Sequence, residues 1–83
     1  MDPSSRRTLV RERIAAGVLP ATPCAEVWGG RGTGSTCAGC DRTISAPEFE
    51  FECHDEARCV FTVCRPCLYI WDSLIRAAER LVG

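Results

Sequence analysis

Two Cys-x-x-Cys pairs, Cys37-Ala38-Gly39-Cys40 and Cys64-Arg65-Pro66-Cys67, constrain this chain more than any other feature. Four thiolates in two close pairs, with enough chain between them for a hairpin, suit the closed tetrahedral sulfur shell of a structural Zn²⁺. The expected cofactor is therefore Zn²⁺, with Cys37, Cys40, Cys64 and Cys67 as its ligands. Size makes such a staple necessary, because a chain of 83 residues buries too little apolar surface to be comfortably stable without one. The rival use of paired cysteines is a redox-active dithiol, which would sit between a strand and a helix of a βαβ unit. The second pair partly meets that description, yet nothing in the sequence indicates a parallel sheet.

The seven cysteines are an odd number, so a complete disulfide framework would leave one thiol over. The N-terminal run Met1-Asp2-Pro3-Ser4-Ser5-Arg6-Arg7 lacks the apolar core of a secretory leader, and no window is apolar enough for a transmembrane helix. We expect a cytoplasmic protein whose cysteines are kept for metal, with no membrane partner. Formal net charge is −1, which argues against strong non-specific binding to nucleic acid. All basic charge is arginine, as readily a mark of a GC-rich genome as of a demand for guanidinium chemistry.

Composition divides the chain into residues 1–36, an N-terminal helix and a Gly/Pro-rich connector, and residues 37–83, the metal module, together one folded domain. Ser4 to Gly17 reads as a helix capped by Ser4 or Ser5, with Leu9, Val10 and Ile14 on its apolar face and Gly17 closing it. Val18 to Thr36 reads as the connector, with Pro20, Pro23, one large anchor in Trp28, and the run Gly29-Gly30-Arg31-Gly32-Thr33-Gly34. That run does not follow a strand and contains no lysine, so it fits neither a Rossmann turn nor a Walker A loop.

Glu48 to Cys53 alternates strictly. It predicts a half-buried strand with Phe49, Phe51 and Cys53 inward and Glu48, Glu50 and Glu52 outward. His54 to Arg58 is a polar turn, Cys59 to Cys64 the returning strand, and the second cysteine pair opens a helix with Pro66 in its first turn. Along that helix Cys67, Leu68, Trp71, Leu74, Ile75, Ala78, Leu81 and Val82 make a wide apolar stripe. Asp72, Arg76 and Glu79 lie opposite. The expected fold is a small α+β, zinc-stabilised domain: N-terminal helix, zinc knuckle, β-hairpin, C-terminal helix.

Knuckle, hairpin, then a helix whose first turn gives the last ligand resembles the treble-clef zinc finger over residues 37 to 82. Leu19-Pro20, Trp28-Gly29-Gly30, Gly32-x-Gly34-x-x-Cys37-x-x-Cys40, Ile44, Glu48 and the closing Cys64-x-x-Cys67 before Trp71 are also similar to a set of small bacterial proteins. In that set the third ligand is often histidine, where this chain has Cys64. The resemblance implies a zinc-binding fold and carries no assigned activity.

Cys24, Cys53, His54 and Cys59 would make a second set of four ligands, but neighbours in a strand point to opposite faces, so Cys53 and His54 converge poorly. Buried cysteines more commonly act as small hydrophobes. Cys53 and Cys59 facing each other across the hairpin, or His54 replacing Cys64 as ligand, are the alternatives. No nucleophile–base pair supports an enzyme. The expected function is a zinc-binding interaction module, regulatory in role, that docks a protein partner or self-associates through the C-terminal stripe. Nucleic-acid binding through Arg6, Arg7, Arg11 and Arg13 and a thiol/zinc redox-responsive regulator are the other classes. Arg42 and Arg65 are expected to offset the charge of the metal site.

Overall fold

The computed structural model describes residues 2–55 and 58–82, without the side chains of residues 55, 58, 59, 81 and 82. Element order is α1 (Pro3–Ala15), β1 (Glu26–Thr36), β2 (Thr43–Asp55), β3 (Arg58–Cys64) and α2 (Arg65–Val82). The strands form one antiparallel sheet in the order β1-β2-β3. This is the expected α+β architecture, with one strand more than the sequence predicts.

Helix α1 starts two residues before the expected cap. Asp2, not Ser4 or Ser5, receives the Ser5 amide N–H at 2.9 Å, and Pro3 fills the first turn, where its missing N–H costs nothing. Gly17 closes the helix at φ 79°, a left-handed conformation that glycine adopts freely. Val10 is fully buried, and α1 packs along α2.

The larger correction is β1. The stretch read as a connector contains an eleven-residue strand, paired with β2 from Glu26 opposite His54 to Thr36 opposite Thr43. Four glycines hide it from propensity, because glycine weakens a strand taken alone. Close approach requires at least one of them: a Cβ on Gly32 would lie 2.6 Å from the Ile44 carbonyl oxygen. Register shifts fall across this glycine, between Arg31 and Thr33, and across Gly34, between Thr33 and Ser35, so the strand bends there.

One face of the sheet carries Cys53, Phe61 and Val63 into the core, and Phe51 packs at its margin. Helix α2 covers that face. Cys67, Trp71 and Ile75, spaced by four, are its buried positions, flanked by Leu68, Ile70 and Leu74. Trp71 meets Phe61 edge-on with centroids 5.2 Å apart, and its Nε1 donates to the Pro20 carbonyl at 2.8 Å. That bond and the fully buried Leu19 tie the remaining connector, residues 18–25, to the core. Opposite the stripe, Asp72 and Arg76 pair at 2.9 Å. Ala78 is exposed, and the side chains of Leu81 and Val82 lie outside the described residues.

Alternation along β2 is as read, but the burial differs at two positions. Phe49 is 46% exposed at the sheet margin, whereas Glu50, expected in solvent, is 6% exposed. Thr33 explains this: its backbone N–H and Oγ1 both donate to Glu50 Oε1, at 2.6 and 2.7 Å. A buried carboxylate needs such partners, and here they hold the bend in β1.

Candidate metal centre

Cys37 to Arg42 forms a tight knuckle between β1 and β2. It is closed by the Cys37 N–H donating to Arg42 O at 2.8 Å and the Asp41 N–H donating to Cys37 O at 2.9 Å. Asp41 takes φ 66°, the left-handed region that short polar side chains tolerate best after glycine. The Ala38 N–H donates to Thr62 O at 2.9 Å, which docks the knuckle beside β3. Cys64 is the last residue of β3, and Cys67 lies in the first turn of α2. Gly39 permits the approach of that turn, since a Cβ there would be 2.8 Å from both Cβ and Sγ of Cys67.

The structure brings Cys37, Cys40, Cys64 and Cys67 together: their sulfurs all lie within 4.8 Å of one another, and all four residues are buried. This cluster can hold a metal ion. Sulfur–sulfur distances of 3.6 Å for Cys37–Cys64 and 3.8 Å for Cys40–Cys64 test the fit. A tetrahedral ion with metal–sulfur bonds of about 2.3 Å sets its ligands about 3.8 Å apart. These two separations match the spacing that such an ion requires, and the other pairs lie within 4.8 Å.

Electrostatics single out Cys37 as the preferred thiolate. Its thiol pKa is driven far below the usual range, first by the sulfur hydrogen bonds it shares with Cys64 and Cys67 and then by the backbone N–H groups of Cys64 and Gly39, each 3.3 Å from its sulfur. The hydrogen bond with Cys37 pushes the Cys64 thiol up to about 11 and raises Cys67 further. A bound cation would take the place of those shared protons, so metal uptake by this cluster must release protons.

The charges around the site come from α1 rather than from Arg42 and Arg65. Arg42 instead pairs with Glu48 at 3.0 Å, and the Arg65 guanidinium lies 5.7 Å from the ring centroids of Phe49 and Phe51. Arg6 sits against the cluster. Burial opposes its charge, but a hydrogen bond to Cys40 and the charges of Cys64, Cys67 and Cys40 hold its pKa above the ordinary value. Its Nε is buried without a hydrogen-bond partner. Arg13 donates to Ala38 O at 3.0 Å and to Asp41 Oδ2 at 2.6 Å, clamping α1 to the knuckle. Two of the four arginines read as a phosphate-binding group are thus turned inward, while Arg7 and Arg11 are exposed. Their spacing carried the signal: positions 6, 10 and 13 lie on one helical face, that of the buried Val10.

The remaining cysteines do not build a second cluster among the described residues. Cys53 is buried beside Phe51, as expected, but it is disulfide-bonded to Cys24, with Cα atoms 5.7 Å apart. Pairing with Cys24 replaces both the free-hydrophobe reading and the pairing with Cys59, whose side chain lies outside the described residues. It also departs from the expectation that cysteines are kept for metal alone. His54 is not a ligand: its ring stacks on Trp28 with centroids 4.2 Å apart, and Nε2 lies 2.9 Å from Glu52 Oε1.

No family model, no curated protein and no solved structure matches this chain.

Proposed function

We propose that this protein is a zinc-stabilised interaction module of the treble-clef type, regulatory rather than catalytic, that works in the cytoplasm by docking a protein partner. The observation that carries the zinc assignment is the buried set of four sulfurs within 4.8 Å of one another, two of whose separations match a tetrahedral thiolate shell. An all-thiolate shell favours Zn²⁺ over the oxygen-seeking Ca²⁺ and Mg²⁺ and leaves no open coordination position for a substrate. Cys37, Cys40, Cys64 and Cys67 would hold the ion, which would supply cross-linking between knuckle, β3 and α2 and no reactive chemistry.

A protein partner is favoured over nucleic acid because Arg6 and Arg13 are committed to the knuckle, leaving Arg7 and Arg11 as the exposed cations of α1. A phosphate backbone is engaged by many cations at once, and two make a weak footprint. The Cys24–Cys53 disulfide supports a second reading, a thiol-responsive regulator, because it gives the chain a reducible bond apart from the metal cluster.

Native mass spectrometry of the purified chain is expected to find one zinc. X-ray absorption is expected to find four sulfur neighbours at about 2.3 Å. A shell containing nitrogen or oxygen, or a chain folded without metal, would overturn the zinc assignment.

A further inference from the structure

The sheet has a second face, turned away from α2. Register places Gly30 opposite Glu50, Trp28 opposite Glu52 and Glu26 opposite His54, and alternation sends these side chains to the side opposite Phe51 and Cys53. Trp28 is 53% exposed there. It is not loose: His54 stacks on it with an interplanar angle of 18°, and His54 is in turn anchored to Glu52 at 2.9 Å. Between Trp28 and Thr33 lies a cleft of about 300 Å³ with Gly30 at its floor, where a Cβ would meet nothing within 4 Å. Glu50 and Glu52 line it. Arg31 reaches its rim, but with no register shift before it, alternation points its side chain to the other face, with Phe49.

This face therefore combines a rigid, half-exposed indole with three carboxylates, Glu26, Glu50 and Glu52. Phosphate or an acidic segment would be repelled by them, and a purely apolar segment would bury Glu52 with His54 as its one side-chain partner among the described residues. A guanidinium or ammonium group satisfies both features, since it gains from the indole face and from the carboxylates together. We propose that the protein partner docks here by seating a basic side chain, arginine before lysine, against Trp28 and between Glu50 and Glu52. Arginine takes precedence because its plane stacks on an indole while its edge donates to a carboxylate. The proposal rests on the protein-docking reading and names the place and charge of the contact.

The test uses the full zinc-loaded chain, with an acetylated Gly-Ser-Arg-Ser-Gly amide as probe and the same peptide carrying citrulline, the neutral isostere of arginine, as its control. Amide and indole N–H shifts are followed by NMR titration. The arginine peptide is expected to shift Trp28, Gly30 and Glu52 saturably, and citrulline to weaken the binding by about fivefold. Gly30→Val, whose Cβ would meet nothing within 4 Å, narrows the cleft and should weaken binding about tenfold while zinc content stays unchanged. Trp28→Ala should do the same. Equal binding of both peptides, or binding that survives Gly30→Val, overturns the proposal. Saturable shifts confined to another face overturn this site but leave protein docking standing. If no peptide moves any resonance, the site is overturned, and protein docking is then judged separately, by whether the zinc-loaded chain cross-links to any protein.

Discussion

At the knuckle end of the sheet four cysteines keep their sulfurs within 4.8 Å of one another without bonding, whereas farther along β2 Cys53 is joined covalently to Cys24. Burial does not separate the two regions, because Cys53 is 4% exposed and Cys40 is also 4% exposed. Donor supply does. Two backbone N–H groups point at Cys37 Sγ, and the Arg6 guanidinium lies against Cys40, so negative sulfur is stabilised there. Cys53 instead lies in mid-strand between Val27 and Phe61, among apolar neighbours that would penalise a thiolate. One setting favours ionised sulfur waiting for a cation, and the other favours a neutral bond.

The strongest way to break this comparison is to remove each staple in turn. Chelating the metal should unfold the chain, because apparent zinc-binding free energies of about 10–16 kcal/mol in small domains are largely folding free energy. Cys24→Ala should do less. The disulfide closes a loop of sequence separation 29, for which chain entropy gives about 3.5 kcal/mol. Denaturant midpoints and zinc per chain, measured together, are expected to show the variant weakened yet fully metallated. Loss of zinc in Cys24→Ala would make the two regions one unit.

Gly39→Ala sharpens the comparison inside the cluster. The added methyl would meet Cys67 at 2.8 Å, and neither a buried sulfur nor the first turn of α2 can yield cheaply. Overpacking of this kind costs about 1–3 kcal/mol, and here it acts on a ligand. Lower stability with reduced zinc affinity in competition with a chelator is the expected result. An unchanged affinity would mean that the knuckle and α2 are free to part.

The ligand set was legible in the sequence because it depends on local spacing: each Cys-x-x-Cys pair makes its own turn, whatever the remainder of the chain does. The alternation of Glu48 to Cys53 was legible for the same reason. β1 was not, because its strand character comes from pairing with β2 across a knuckle, and its glycines serve approach rather than propensity. The partner of Cys53 was hidden likewise, since Cys24 is brought to it only by the path of residues 18–25 over Trp71. Glu50 and Arg6 show the limit most plainly. A charged residue in an amphipathic pattern reads as solvent-facing until a buried acceptor or donor from a distant segment claims it.

Arg6 carries the smallest predicted effect and the most specific one. A cluster of four thiolates around a divalent ion is doubly negative, and Arg6 is a cation whose charge Cys40, Cys64 and Cys67 stabilise. Arg6→Met keeps the stem that packs beside the cluster and removes the charge. Loss of such a supporting contact commonly lowers metal affinity about tenfold. The pH dependence has a definite sign. Thiols must lose protons to bind metal, and a neighbouring cation lowers their pKa. Without Arg6 protons compete more effectively, so the midpoint of metal release on acidification should move to higher pH. Arg7→Met, on the exposed side of the same helix, should leave both affinity and midpoint where they are. Zinc release followed with a chromophoric chelator from neutral to acid pH separates these outcomes. Equal behaviour of the two variants would return Arg6 to the surface charges of α1, beside Arg7 and Arg11, as a candidate for a phosphate contact.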